Sequence, residues 1–138
     1  KTGGGYYDYK EGDRTPIANP QVQEIIEQVS KEKNIERKDF DDEEIIKRSL
    51  YPLVNIGAQI LDEGMAMRPS DIDIIYINGY GFPAYKGGPM HWADSIGLDK
   101  VLADIKRFHA DYGERWRPAP LLEKLVAEGK SFADYQAS

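Results

Sequence analysis

The chain has no cysteine, so disulfides, thiol nucleophiles and cysteine-based zinc sites are excluded. That absence also fits a cytoplasmic location, the compartment expected from the sequence. Histidine is nearly as scarce: there are two, His91 and His109, and they lack the spacing of a metal pair. No apolar run approaches the roughly 20 residues of a membrane helix, so no membrane span is expected. The polar, Gly-rich first residues do not read as a signal peptide. Positive charge is also short. With 18 basic against 24 acidic residues the net charge is −6, which argues against a nucleic-acid partner. No serine sits in a Gly-x-Ser-x-Gly elbow. Gly79-Tyr80-Gly81 lacks the third glycine of a dinucleotide loop, and Lys86-Gly87-Gly88 lacks the Lys-Ser/Thr ending of a phosphate loop.

What is present suits one soluble domain. In 138 residues, 41% are apolar and 30% charged, enough to bury a core and solvate its outside. Residues 1–16 read as an irregular arm, with Tyr6, Tyr7 and Tyr9 forming a short extended segment suited to docking or to exposure as an arm. Asn19 before Pro20 starts a helix with Val22, Ile25, Ile26 and Val29 on one stripe. Asp41 and Glu44 frame the start of a long helix, about Asp42 to Glu63. Capping explains the carboxylates from Asp39 to Glu44 better than a metal site does. Its stripe is expected along Ile46, Leu50, Leu53, Gly57, Ile60 and Gly64, supported by Ile45, Val54 and Leu61. Pro52 is expected to kink this helix or divide it, and Gly57 to admit a close neighbour.

Ser70 and Asp73 read as a capping box opening a short buried helix, although Ile72 to Ile77 is β-branched enough to suggest a strand. Capping also accounts for Asp71 and Asp73 better than a divalent ion does. Then Gly79 to Asp94 interleaves four glycines and two prolines with aromatics, which predicts an ordered turn packing its rings. Further helices are expected over Met90–Ser95, around Leu98–Tyr112, and after Pro118-Ala119-Pro120. The fold class is all-α, a compact multi-helix domain.

Candidate chemistry is thin. His91, with Asp94 three residues on, is the better candidate base; His109 reads as surface. The basic spots Lys106-Arg107 and Arg115-Trp116-Arg117 read as solvated surface. The backbone N–H groups at the helix start near Met90 suit an anion or a tight turn.

Pro69-Ser70-Asp71-Ile72-Asp73, Asn78-Gly79-Tyr80-Gly81-Phe82-Pro83, Gly87-Gly88-Pro89-Met90 and Trp92-Ala93-Asp94 resemble the C-terminal domain of the 3-hydroxyacyl-CoA dehydrogenases. Gly97-Leu98-Asp99, Leu61-Asp62-Glu63-Gly64 and Pro120 to Gly129 are similar to that family too. The likeness is strongest to multifunctional fatty-acid β-oxidation enzymes, which fuse enoyl-CoA hydratase and dehydrogenase parts. It implies a second helical copy over 19–138, with an arm over 1–18 resembling the end of a preceding copy. A start at Lys1 without Met reads as a piece of something longer. By resemblance the parent oxidises L-3-hydroxyacyl-CoA to 3-ketoacyl-CoA with NAD. The implied partners are an upstream Rossmann domain and a first helical domain, with a homodimer as a further possibility. The family's substrate-contacting Asn is Lys47 here, and a frequent Glu is Ile56. No catalytic, cofactor-binding or metal-binding residue carries over, and the fragment itself is expected to be inactive. The residues left as possible acyl-CoA contacts are Lys47 and Tyr80. The alternative reading is a freestanding helical dimerisation or acyl-CoA-binding module.

Overall fold

The computed structural model describes residues 5–136, and their contacts divide into two units, one ending at Phe40 and one beginning at Asp41. The helix that Asn19 starts falls in the first of these units.

In the first unit, strands β1 (Tyr7–Asp8) and β2 (Ile17–Ala18) pair antiparallel, Tyr7 opposite Ala18 and Asp8 opposite Ile17. Helix α1 (Pro20–Glu32) follows. Asn19 caps it as expected: its Oδ1 accepts from the Gln21 N–H at 2.9 Å, and its Nδ2 donates to Asp8 at 3.1 Å, joining the helix start to β1. The apolar stripe forms but is not covered; no residue of α1 is buried.

The second unit holds helices α2 (Asp42–Asp62), α3 (Pro69–Gly79), α4 (Pro89–Ile96), α5 (Leu98–Tyr112) and α6 (Pro120–Ala127). Asp41 caps α2 by accepting from the Glu44 N–H at 2.8 Å, and Asp42, Glu43 and Glu44 place negative charge in its first turn. The helix runs through Pro52 as one element.

The α2 stripe differs from the expected one. The buried positions are Tyr51, Val54, Asn55, Gly57, Ala58 and Leu61, of which Val54, Gly57 and Leu61 are among those expected, while Ile45 and Ile46 are about half exposed and Leu50, Leu53 and Ile60 pack at the margin. The stripe turns toward Tyr51 because its ring packs on Trp92 of α4, centroids 5.8 Å apart. Gly57 does admit a close neighbour: a Cβ there would stand 2.5 Å from Met90 Sδ, so α4 lies against α2. On α5, the helix expected around Leu98–Tyr112, the side chains of Leu98, Val101, Leu102, Ile105 and Phe108 are buried. Leu121, Leu122 and Leu125 close the core from α6, and Phe132 from the turn beyond it.

Helix α3 corrects two expectations. It starts at Pro69, and Asp71 rather than Asp73 performs the cap, accepting from the Arg68 N–H at 3.1 Å and from its guanidinium at 2.7 Å. Pro69 at the first helical position sets the start, which puts Asp71 at the third. The helix is also not buried: Ile72 and Asp73 are inside, while Ile74 and Ile75 are each 57% exposed. Hydrogen bonds closed within the helix let so β-branched a run stay helical.

Candidate functional site

The Gly/Pro/aromatic stretch forms the corner between α3 and α4. Phe82 is buried edge-on to Trp92, centroids 6.4 Å apart, and its N–H donates to the Tyr76 carbonyl at 3.0 Å. The chain then makes a single 3₁₀ turn, Ala84–Lys86, and enters α4 through Gly87 and Gly88, with φ of +76° and +97°.

Asp73 occupies the centre of this corner. From α3 its Oδ1 accepts the Met90 N–H at 2.7 Å and its Oδ2 the His91 N–H at 3.2 Å. The start of α4 is thus an anion site, and the anion is the chain's own carboxylate. Burial pushes the Asp73 carboxyl above the ordinary aspartate range, and the two N–H donors from Met90 and His91 only partly counter it. A raised value means that the stabilisation from its protonation is full below about 3.8 and is lost as pH climbs through the folded value. The stability difference between wild type and Asp73→Asn should therefore be most in favour of wild type in acid and shrink as pH rises. Urea melts between pH about 3 and about 7 measure it, and a difference that grows with pH contradicts this placement of the carboxylate.

Two further polar side chains join distant elements in the same way. Asp94 accepts from the Phe132 and Ala133 N–H groups at 2.8 and 3.0 Å, holding the turn Phe132–Asp134 against α4. Asn55, buried on α2, donates to the Arg117 carbonyl and accepts from the Ala119 N–H, both at 2.8 Å. Sequence reasoning named Asp73 and Asp94 for other roles and missed Asn55. The available signal was a polar residue flanked by apolar neighbours, as in Val54-Asn55-Ile56 and Ile72-Asp73-Ile74.

The candidate site residues are not brought together. Lys47 lies between α2 and α5, paired with Glu43 at 2.7 Å and Asp104 at 3.0 Å. Those carboxylates, Glu43 foremost, hold its ammonium more firmly protonated than usual. Tyr80 stands at the end of α3, 76% exposed, with its ring 5.3 Å from that of Tyr76. No hydrogen bond, ion pair or ring contact links the two among the described residues. His91 is exposed beside Gly87, and Asp94, engaged by the 132–133 backbone, does not orient it. His109 is on the surface as expected and meets Glu114 at 3.2 Å. Asp71 pairs with Arg68 and Glu44 with Arg107, so the acidic clusters act as caps and ion pairs. Among the described residues no group of three or more metal-ligating side chains converges, and no helix is long and apolar enough to cross a membrane.

These residues do not fit a dinucleotide. The Gly79-Tyr80-Gly81 segment follows a helix rather than a strand, and the helix start beyond Gly88 already holds Asp73. Buried polar groups tie the elements of this helical domain to one another. The family model described as the C-terminal domain of 3-hydroxyacyl-CoA dehydrogenase matches residues 45–134, and the chain belongs to that family.

Its relatives are longer proteins. The peroxisomal bifunctional enzyme of Danio rerio is 42% identical over 132 residues, covering 94% of this chain and 18% of the relative. A peroxisomal fatty acid beta-oxidation multifunctional protein of Arabidopsis thaliana is 34% identical over 140 residues, covering 99% and 19%. The fatty acid oxidation complex subunit alpha of a Shewanella species (strain MR-4) is 33% identical over 132 residues, covering 96% and 18%. The chain thus spans less than a fifth of these relatives. In the crystal structure of (S)-3-hydroxybutyryl-CoA dehydrogenase from Ralstonia eutropha, a 27% identical region superposes with a TM-score of 0.60, covering 88% of this chain and 44% of that one.

Proposed function

We propose that this chain is the last helical domain of a fatty-acid β-oxidation enzyme that oxidises L-3-hydroxyacyl-CoA to 3-ketoacyl-CoA with NAD, and that the domain braces the dehydrogenase without carrying its chemistry. The observation that carries this reading is the engagement of its buried polar groups. Asp73 and Asn55 hold backbone groups of their own domain, and Lys47 is held between two carboxylates. The relatives' names support the parent activity, and their greater length supports further domains, for which a Rossmann domain and a first helical copy are proposed. Residues 1–18 are proposed as the end of that first copy. A homodimer and a cytoplasmic location complete the proposal, although several relatives are named as peroxisomal.

The second reading, an acyl-CoA contact at Tyr80 and Lys47, draws support from the exposure of Tyr80. The engagement of Lys47 by Glu43 and Asp104 counts against it.

The 138-residue chain alone, given acetoacetyl-CoA and NADH, should show no turnover above the rate without protein. Calorimetry with a CoA thioester should show no heat. Robust turnover overturns the bracing role, and binding heat abolished by Tyr80→Ala would favour the second reading.

A further inference from the structure

With no cysteine, the sulfur of this chain is confined to three methionines, Met65, Met67 and Met90. The fold treats them in opposite ways. Met90 is fully buried, its sulfur against Gly57 of α2. Met65 and Met67 stand in the connector between α2 and α3, 68% and 73% exposed. Between them Ala66 is half-buried and packs against the core. The backbone around the pair is tied down, with the Met65 N–H donating to the Ile60 carbonyl at 3.0 Å and the Arg68 N–H to Asp71 at 3.1 Å. Two thioethers are therefore held outward on an ordered connector.

We propose that Met65 and Met67 form a reversible oxidation site, taking hydrogen peroxide or an organic hydroperoxide as oxidant and a methionine sulfoxide reductase as the enzyme that restores them. The thioether sulfur attacks one peroxide oxygen and forms a sulfur–oxygen bond. The oxygen–oxygen bond breaks, and the second oxygen leaves as water or as an alcohol after proton transfer. Sulfur is oxidised by two electrons and the peroxide reduced by two; the reductase returns the thioether as two thiols are oxidised to a disulfide and the sulfoxide oxygen leaves as water. Exposure governs the rate, so the connector reacts while the fold shields Met90. The products differ as well. A sulfoxide at Met65 or Met67 lies in water, where its polarity is solvated. A sulfoxide at Met90 would place a polar oxygen in the buried contact between α2 and α4.

The test treats the folded chain with hydrogen peroxide, maps the added oxygen by peptide mass spectrometry, and follows the thermal midpoint. Met65 and Met67 should oxidise on the order of tenfold or more faster than Met90. Uptake should plateau at two oxygens with the midpoint unchanged, and a sulfoxide reductase with dithiothreitol should remove both. The Met65→Leu/Met67→Leu chain should take up none over the same period. Oxidation of Met90 at a comparable rate in the folded chain overturns the proposal, as does unchanged oxygen uptake by the double variant. Failure of the reductase to act on the folded, oxidised chain overturns its reversibility. None of these outcomes depends on the activity proposed for the parent enzyme.

Discussion

Gly88→Ala should destabilise the chain by about 3–6 kcal/mol, a large part of the total stability of an ordinary domain. Two costs combine. With φ of +97° and ψ of 170°, Gly88 occupies a region that other residues enter only at about 1–3 kcal/mol. Its Cβ would also fall 2.6 Å from the Asp73 Cα. That atom is backbone within α3, so no rotamer change relieves the overlap. Either α3 retreats from α4 or the turn rebuilds, and both movements stretch the bonds from Asp73 to the Met90 and His91 N–H groups. Hydrogen bonds to a charged group are worth about 1.5–3 kcal/mol each. Gly129→Ala provides the control. It has φ of +64° but nothing within 4 Å of the added Cβ, so it should cost only about 1–2 kcal/mol. Denaturant melts of the two variants separate the conformational cost from the overlap. If Gly88→Ala melts no earlier than Gly129→Ala, α3 and α4 do not meet as described.

This corner marks where the sequence is legible and where it is not. Helices α2 and α5 follow from a period visible within the segment itself, and the cap at Asp41 lies within a few residues of what it caps. Asp73 looks like a cap in the sequence, and it is one, but for a helix starting 16 residues later rather than for its own. Nothing local separates the two assignments, because the N–H groups of Met90 and His91 reach Asp73 only through the fold. The offset of the α2 stripe has the same origin: periodicity gives an amphipathic helix, but the ring of Trp92 decides that Tyr51 faces inward. In α3 the β-branched run conflicts with the helix, and position outside the core left Ile74 and Ile75 in water. The two candidate contacts failed to converge for a related reason. Lys47 was singled out by its position in a family pattern, and only the folded chain places Asp104 of α5 beside it.

Asn55 is the strongest case of a residue whose role lies far along the chain, and Asn55→Ala should cost about 2–4 kcal/mol. Its partners, the Arg117 carbonyl and the Ala119 N–H, are 62 and 64 residues away. They flank Pro118, which has no N–H to offer, and Ala119 is fully buried. Helix α6 begins at Pro120 without a side-chain cap, so Asn55 on α2 is what fixes its entry. Truncation leaves a buried donor without a partner, which costs about 1–3 kcal/mol, together with a small cavity and an unmet carbonyl. Asn55→Asp separates the two bonds. The carboxylate can still accept from Ala119, but it turns a negative oxygen toward the Arg117 carbonyl. The new aspartate should have a raised folded value. Its stabilisation is then full in acid, where the protonated group can donate to that carbonyl, and fades as pH rises through that value. The aspartate variant should thus approach wild-type stability near pH about 3 and fall well below it near pH about 7, while Asn55→Ala stays low at both. Amide exchange at Ala119 gives the local readout: protected in wild type and in the acidic aspartate variant, and faster in the alanine variant. An Ala119 amide that exchanges equally slowly in all three would mean that the entry to α6 is held by something other than this side chain.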